Sequence, residues 1–195
     1  MTCRVILRAA LAAPAAVALA MSLAIPAAAD CPPATLDTEA ETRLIESLRA
    51  APDAAAARKY NARLWEMWTD APDPQAQNLL DSGMARIRLG DLKNAIKAFD
   101  ALVAYCPEFA EGYNQRAFAR YLRQEFEPAL ADLDAALALS PRHVGALSGK
   151  ALVLMGLGRD RAALETLEVA LDLNPHLSER ALVAVLEERL GATDL

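Results

Sequence analysis

Few side chains in this chain are of the kinds that do chemistry, and their spacing limits what that chemistry could be. The histidines, His143 and His176, each follow closely behind a proline. No second His, Cys or clustered carboxylate stands at ligand spacing from either. Both therefore read as turn residues, with no metal set and no catalytic base expected. Ser22, Ser47, Ser82, Ser140, Ser148 and Ser178 lack the context of a nucleophile elbow. No Gly-rich phosphate loop follows a strand pattern, because no strand pattern exists. The acidic residues spread over what read as helix surfaces, and Asp132 among them is expected to face solvent. These patterns point away from an enzyme, and no cofactor is implied.

Two further pairs could matter. Cys31 and Cys106 remain once the amino-terminal leader is set aside, and an oxidising compartment would permit a bridge between them. Two independent thiols is the plainer reading, since Cys31 lies on a Pro-Pro-bearing tail with no predicted position and a bridge demands close Cα atoms. Trp65 and Trp68 share a helical face with Tyr60 and Leu64. Core packing against the following unit is the ordinary role for such a stripe, and a second, exposed docking patch is the alternative.

The elements that position these residues begin with a leader. Residues 1–29 have Arg4 and Arg8, an apolar run from Ala9 to Ile25, and small residues at Ala27, Ala28 and Ala29. That is the layout of a secretory signal, with cleavage expected after Ala29 and a mature chain starting at Asp30. An uncleaved anchor is the competing reading, but Pro14, Pro26 and weakly hydrophobic Ala make a poor span. Paired arginines for twin-arginine export are missing, so general secretion into a periplasm is expected, with no stable membrane insertion afterwards. Removing Arg4 and Arg8 from 20 basic residues leaves 18 against 26 acidic ones, a net charge of −8. Phosphate backbones and anionic headgroups repel such a surface, so no nucleic-acid partner is expected. The Ala- and Arg-rich usage reads, by association, as that of a GC-rich bacterial genome, and few aromatics suit close helix packing better than sheets.

A repeat organises the rest. Pro107, Pro141 and Pro175 are spaced by 34 residues. In the same register Ala95 falls on Ala129 and Ala163, Phe99 on Leu133 and Leu167, and Gly83 on Ala117 and Ala151. Each unit reads as two helices with apolar residues at three- and four-residue spacing, such as Glu111 to Arg123 and Phe126 to Leu139. The helices of a pair break at Gly90-Asp91, Gln124-Glu125 and Gly158-Arg159-Asp160, where Gly can turn left-handed and Asp can cap. The prolines stop the second helix.

With these columns in place, YNQRAFARYLRQEFEPALADLDAALALSP and GRDRAALETLEVALDLNP resemble tetratricopeptide repeats. The resemblance implies an all-α, right-handed solenoid of helix-turn-helix repeats with a terminal capping helix, in an exported bacterial type of the family. Gln124 departs from the interhelix Gly of its neighbours, which a good helix former should tolerate. The expected organisation is a flexible tail over 30–37, a degenerate leading helical pair with a shortened first helix over 38–75, and three repeats over 76–109, 110–143 and 144–177. A capping helix and tail fill 178–195.

In such arrays the first helices line a concave surface. Carried over, the inner face comprises Leu80, Met84, Ile87 and Arg88, then Asn114, Phe118 and Tyr121, then Ser148, Leu152 and Met155. Family members that clamp a carboxyl-terminal carboxylate place Lys and Asn where Leu80 and Met84 stand, so that clamp is not expected. A groove rich in Met and aromatic groups suits an amphipathic helix or an extended apolar segment. The chain's own leading helices could instead cover it, and self-association through solenoid ends is a third route. The functional expectation is a periplasmic adaptor or scaffold for a protein or peptide partner. The alternatives are a chaperone-like holder of unfolded exported clients and a small-molecule or glycan-binding module.

Overall fold

The computed structural model describes residues 31–34 and 36–193; the leader and its cleavage point lie outside the described residues. Among the described residues the chain is all-helical. A leading hairpin is built of α1 (Thr38–Arg49) and α2 (Ala54–Trp68). Three further helix pairs follow: α3 (Pro74–Arg88) with α4 (Leu92–Tyr105), α5 (Ala110–Leu122) with α6 (Phe126–Leu139), and α7 (Val144–Gly156) with α8 (Asp160–Leu173). A short 3-10 turn, Ser178–Ala181, leads into α9 (Leu182–Thr193), which packs on α8.

The periodic columns explain the three pairs. Gly83 faces the ring of Phe99, and a Cβ there would run into it. Phe99, Leu133 and Leu167 are buried, as are the facing small residues Ala95, Ala129, Ala163, Ala117 and Ala151. Small residues let the backbones approach, and one large side chain fills each gap. The same hydrogen bonds recur in register. Asp91, Glu125 and Arg159 each donate a backbone N–H to the carbonyl five residues earlier, on Arg86, Arg120 and Leu154. At the unit-ending turns, Phe109, His143 and Leu177 donate to Cys106, Ser140 and Asn174.

The turn inside each pair needs a left-handed residue. Gly90 and Gly158 take φ of 73° and 70°, and Gln124 takes 61°. Gln124 does not prevent the fold, as expected, but helix propensity is not the reason: it sits outside the helices in a left-handed conformation that disfavours a residue with a Cβ. Asp residues cap α1 to α4. At α3 the Ala76 N–H, then the Tyr105 hydroxyl, hold the Asp73 carboxyl below the usual carboxylate range.

The leading hairpin departs from expectation. Helix α1 is a full element beginning at Thr38, capped by Asp37, and is not shortened. Cys31 and Cys106 form a disulfide with Cα atoms 5.1 Å apart, which ties the chain at Cys31 to the end of α4, so the reading as independent thiols is overturned. The hairpin's buried face, Ile45, Leu48, Leu64 and Trp68, meets Val144 and Leu147 of α7 and Ala170 and Leu173 of α8. It thus reaches the last pair instead of packing on the unit that follows it in sequence. Arg49 pairs with Asp172, and the His176 ring Nε2–H donates to the Ala51 carbonyl at 2.9 Å.

Asp132 is also corrected. It is 4% exposed and accepts from Arg116 and Arg120, which tie α5 to α6, while Arg116 also reaches Asp100 on α4. Long guanidinium arms from α5 close over it, which helical periodicity alone does not reveal.

Candidate functional site

The inner face is lined by α3, α5 and α7, and it divides into a filled part and an open part. The filled part begins with three polar residues one turn apart on α5. Glu111 is buried, and its carboxylate accepts from Asn114 Nδ2 at 3.0 Å and Gln115 Nε2 at 2.6 Å. His143 completes the set from the amino terminus of α7. Its Nδ1 accepts from the Ala146 backbone N–H and caps the helix, which leaves the ring hydrogen on Nε2 facing Glu111 at 2.9 Å.

Trp68 of α2 lies flat on that imidazole, with ring centroids 3.9 Å apart. Its indole N–H donates to buried Glu41, which also accepts from Arg142. The acidic residues at 41 and 111 are therefore not a solvated surface, contrary to expectation. Each buried carboxylate has its own donors, as the cost of an uncompensated buried charge requires.

Ser140, His143 and Glu111 line one small cavity of about 100 Å³. The trio does not form a nucleophilic relay. One ring nitrogen of His143 is committed to Ala146 and the other to Glu111, so neither can take a proton from Ser140.

The open part is a cavity of about 390 Å³. Of the residues expected on the inner face, Met84, Ile87, Arg88, Asn114, Phe118, Tyr121 and Leu152 line it. Leu80, Ser148 and Met155 do not. Leu80 is fully buried with Phe99 between α3 and α4, Ser148 is buried and donates to the Gly145 carbonyl, and Met155 packs toward α8 and α9. The two tryptophans separate: Trp68 is buried in the polar part, while Trp65 is 40% exposed and walls the cavity instead of forming a second patch.

Sequence reasoning missed Gln115, Gly145 and Gly149. The glycines, four apart on α7, line the cavity wall, and a Cβ there would press on His143 at position 145 and on Leu133 at position 149. A signal for the polar set was present, since an acid followed by amides at i+3 and i+4 marks one helical face. Nothing in the local pattern tied His143 or Trp68 to it. Among the described residues no cluster has the ligands for a metal ion, and no helix is long and apolar enough to cross a membrane.

An array of stacked helix pairs with an apolar inner groove is a class of molecule that binds along its concave face. Residues 76–109 match the tetratricopeptide repeat family. A TPR repeat-containing protein of Rhizobium etli is 30% identical over 124 residues, covering 64% of this chain and 60% of that protein, so the chain spans about three fifths of that relative's length. The TPR2B domain of yeast Sti1, solved as a complex with pHsp70, is 27% identical with a TM-score of 0.52, covering 60% of this chain and 93% of that one. The first TPR of Spaghetti (RPAP3), bound to the HSP90 peptide SRMEEVD, shares the fold with a TM-score of 0.59 at 22% identity, covering 60% and 94%. Together these support the tetratricopeptide repeat family, and the fold is that of its solenoids.

Proposed function

We propose that this chain is an adaptor or scaffold that binds a segment of a partner protein in the open part of its inner groove. The observation that carries this reading is the apolar cavity between α3, α5 and α7, which the chain's own hairpin walls but does not fill. Peptide-bound relatives of the same fold support it, although Leu80 and Met84 stand where a carboxylate clamp would need Lys and Asn. The leader's layout and the Cys31–Cys106 disulfide favour an exported bacterial protein of the periplasm, where disulfides persist.

Phe118 and Leu152 project into the cavity from adjacent inner helices. Replacing both by Ala should weaken partner capture from a periplasmic extract at least about thirtyfold, as expected when a buried apolar anchor is lost. Circular dichroism must stay native for the result to count. Capture that survives in a folded double variant rules the groove out. A broad spectrum of captured clients, in place of one dominant partner, would support the holder of unfolded exported proteins.

A further inference from the structure

We infer that the small cavity beside Ser140 is a site for a primary ammonium on a short alkyl chain, whether a free amine or the tip of a lysine side chain. It lies apart from the open groove and shares no lining residue with it. An unmet hydrogen bond carries the inference. Ser140 is 6% exposed and lines the cavity, and among the described residues its hydroxyl is the buried side-chain polar atom without a hydrogen-bond partner. Its backbone is satisfied, since its N–H donates to the Ala136 carbonyl and its own carbonyl accepts from His143. Leaving a buried hydroxyl unpaired costs free energy, and native interiors seldom do so unless a ligand or water completes it.

The repeat makes the gap plain. Ser140 occupies the position of Cys106 and Asn174, one residue before each unit-ending proline. Cys106 is taken up by the disulfide, and the Asn174 side chain accepts from the His176 backbone N–H. Glu108 occupies the position of Arg142 and His176, which bind Glu41 and the Ala51 carbonyl. Glu108 and Asp70 are exposed on the cavity wall, and among the described residues neither has an ion pair.

Charge selects the ligand. Asp70, Glu108 and Glu111 line the cavity, and no Lys or Arg does. His143 adds no positive charge, because its Nδ1 accepts from Ala146. Glu111 keeps room for a further donor: Oε2 takes Asn114 and His143, while Oε1 takes Gln115 alone. An anion is repelled here, and a neutral alcohol would complete Ser140 but leave the carboxylates without a counter-charge. Among the described residues no three His, Cys, Asp or Glu side chains are grouped to hold a metal ion. An ammonium brings three donors and no acceptor, which is what one hydroxyl oxygen among carboxylates requires. Leu36, Met67 and Phe109 line the same space and give methylene groups an apolar wall. The volume is about 100 Å³, the share of roughly three water molecules, and it receives the end of such a chain.

The test titrates isotope-labelled protein with propylammonium and follows backbone amide shifts by NMR. Saturable shifts are expected at Ser140, Glu111 and Phe109, with none there for propanol or propionate. Ser140→Ala should weaken binding about tenfold, the size of one charge-assisted hydrogen bond. Its melting temperature should not fall, because the hydroxyl has no partner in the protein to lose. Asp70→Asn with Glu108→Gln should weaken binding about threefold and flatten its salt dependence. An acetylated, amidated peptide with one lysine that binds more tightly than propylammonium assigns the site to a partner's lysine, and the reverse order assigns it to a small amine. Propanol binding as well as propylammonium overturns the proposal, as does a folded Ser140→Ala protein that binds like wild type. A lowered melting temperature in Ser140→Ala would show a hydroxyl bonded within the protein and overturn it too. So would the absence of any saturable shift, which leaves the cavity to water only.

Discussion

The three repeated pairs and the leading hairpin are built from similar helices, yet they are held by contacts of opposite kinds. In the array every pair touches its neighbours, and the same turn hydrogen bonds recur one unit apart. The hairpin skips its sequence neighbour. Its hydrogen bonds run from Ala51 to His176 and from Glu41 to Arg142, separations of 125 and 101 residues. A repeat array stores its stability in nearest-neighbour interfaces, which is why its sequence is periodic. The hairpin closes a long loop, and residues that make one long-range contact need not repeat. It also changes what the array offers, since α2 takes part of the inner face and leaves a short, deep remainder.

Four substitutions would break or sharpen this contrast. Phe99→Ala should cost the most, about 3–5 kcal/mol, because it empties the space between α3 and α4 against Gly83. Urea denaturation should show one earlier transition. A loss under about 1 kcal/mol would mean that the first pair can collapse onto the hole, contrary to a close-packed array.

Next in size is the tether. Cys31→Ser removes the disulfide that joins the tail to the end of α4 across 75 residues and should cost about 2–4 kcal/mol. Hydrogen exchange should rise over residues 36–48, with α5 and α6 still protected. Uniform loss of protection would show that hairpin and array unfold as one unit.

Trp68→Phe keeps a ring on His143 but removes the indole N–H, leaving one oxygen of buried Glu41 without its donor. A cost of about 1–3 kcal/mol follows. The array columns do not include Trp68, so exchange should again rise in α1 and α2 first. Smallest, and opposite in sign, is Gln124→Gly. It relieves a left-handed glutamine at φ 61° and should gain about 0.5–1 kcal/mol, after allowing for the freer unfolded chain. No gain in thermal melting would mean that Gln124 is compensated by a contact of its own.

Much of the inner face was legible before any coordinates. Met84, Ile87, Asn114, Phe118 and Leu152 followed from placing the first helices on the concave side, and they do line one cavity. Leu80 and Met155 failed because a helix of the array is covered on several sides. Leu80 points between α3 and α4, and Met155 turns toward α8 and the capping helix α9. Asp132 failed for a related reason, since whether a polar helix position is solvated depends on which arms reach over it. Arg116 and Arg120 do so from α5.

The sequence by itself determined the helix pairs, their order and the turns between them. Each of these is enforced by residues close along the chain: a small residue facing a large one, a left-handed position, a proline after the second helix. Only the tertiary structure decided that Cys31 meets Cys106, that Trp68 stacks on His143, and that the helix filling part of the groove is the chain's own. Those pairings lie far apart in sequence, and nothing periodic marks them. They are selected by which distant surfaces can bury apolar area and satisfy Glu41 and Glu111 at once, a condition met only when the whole array is assembled.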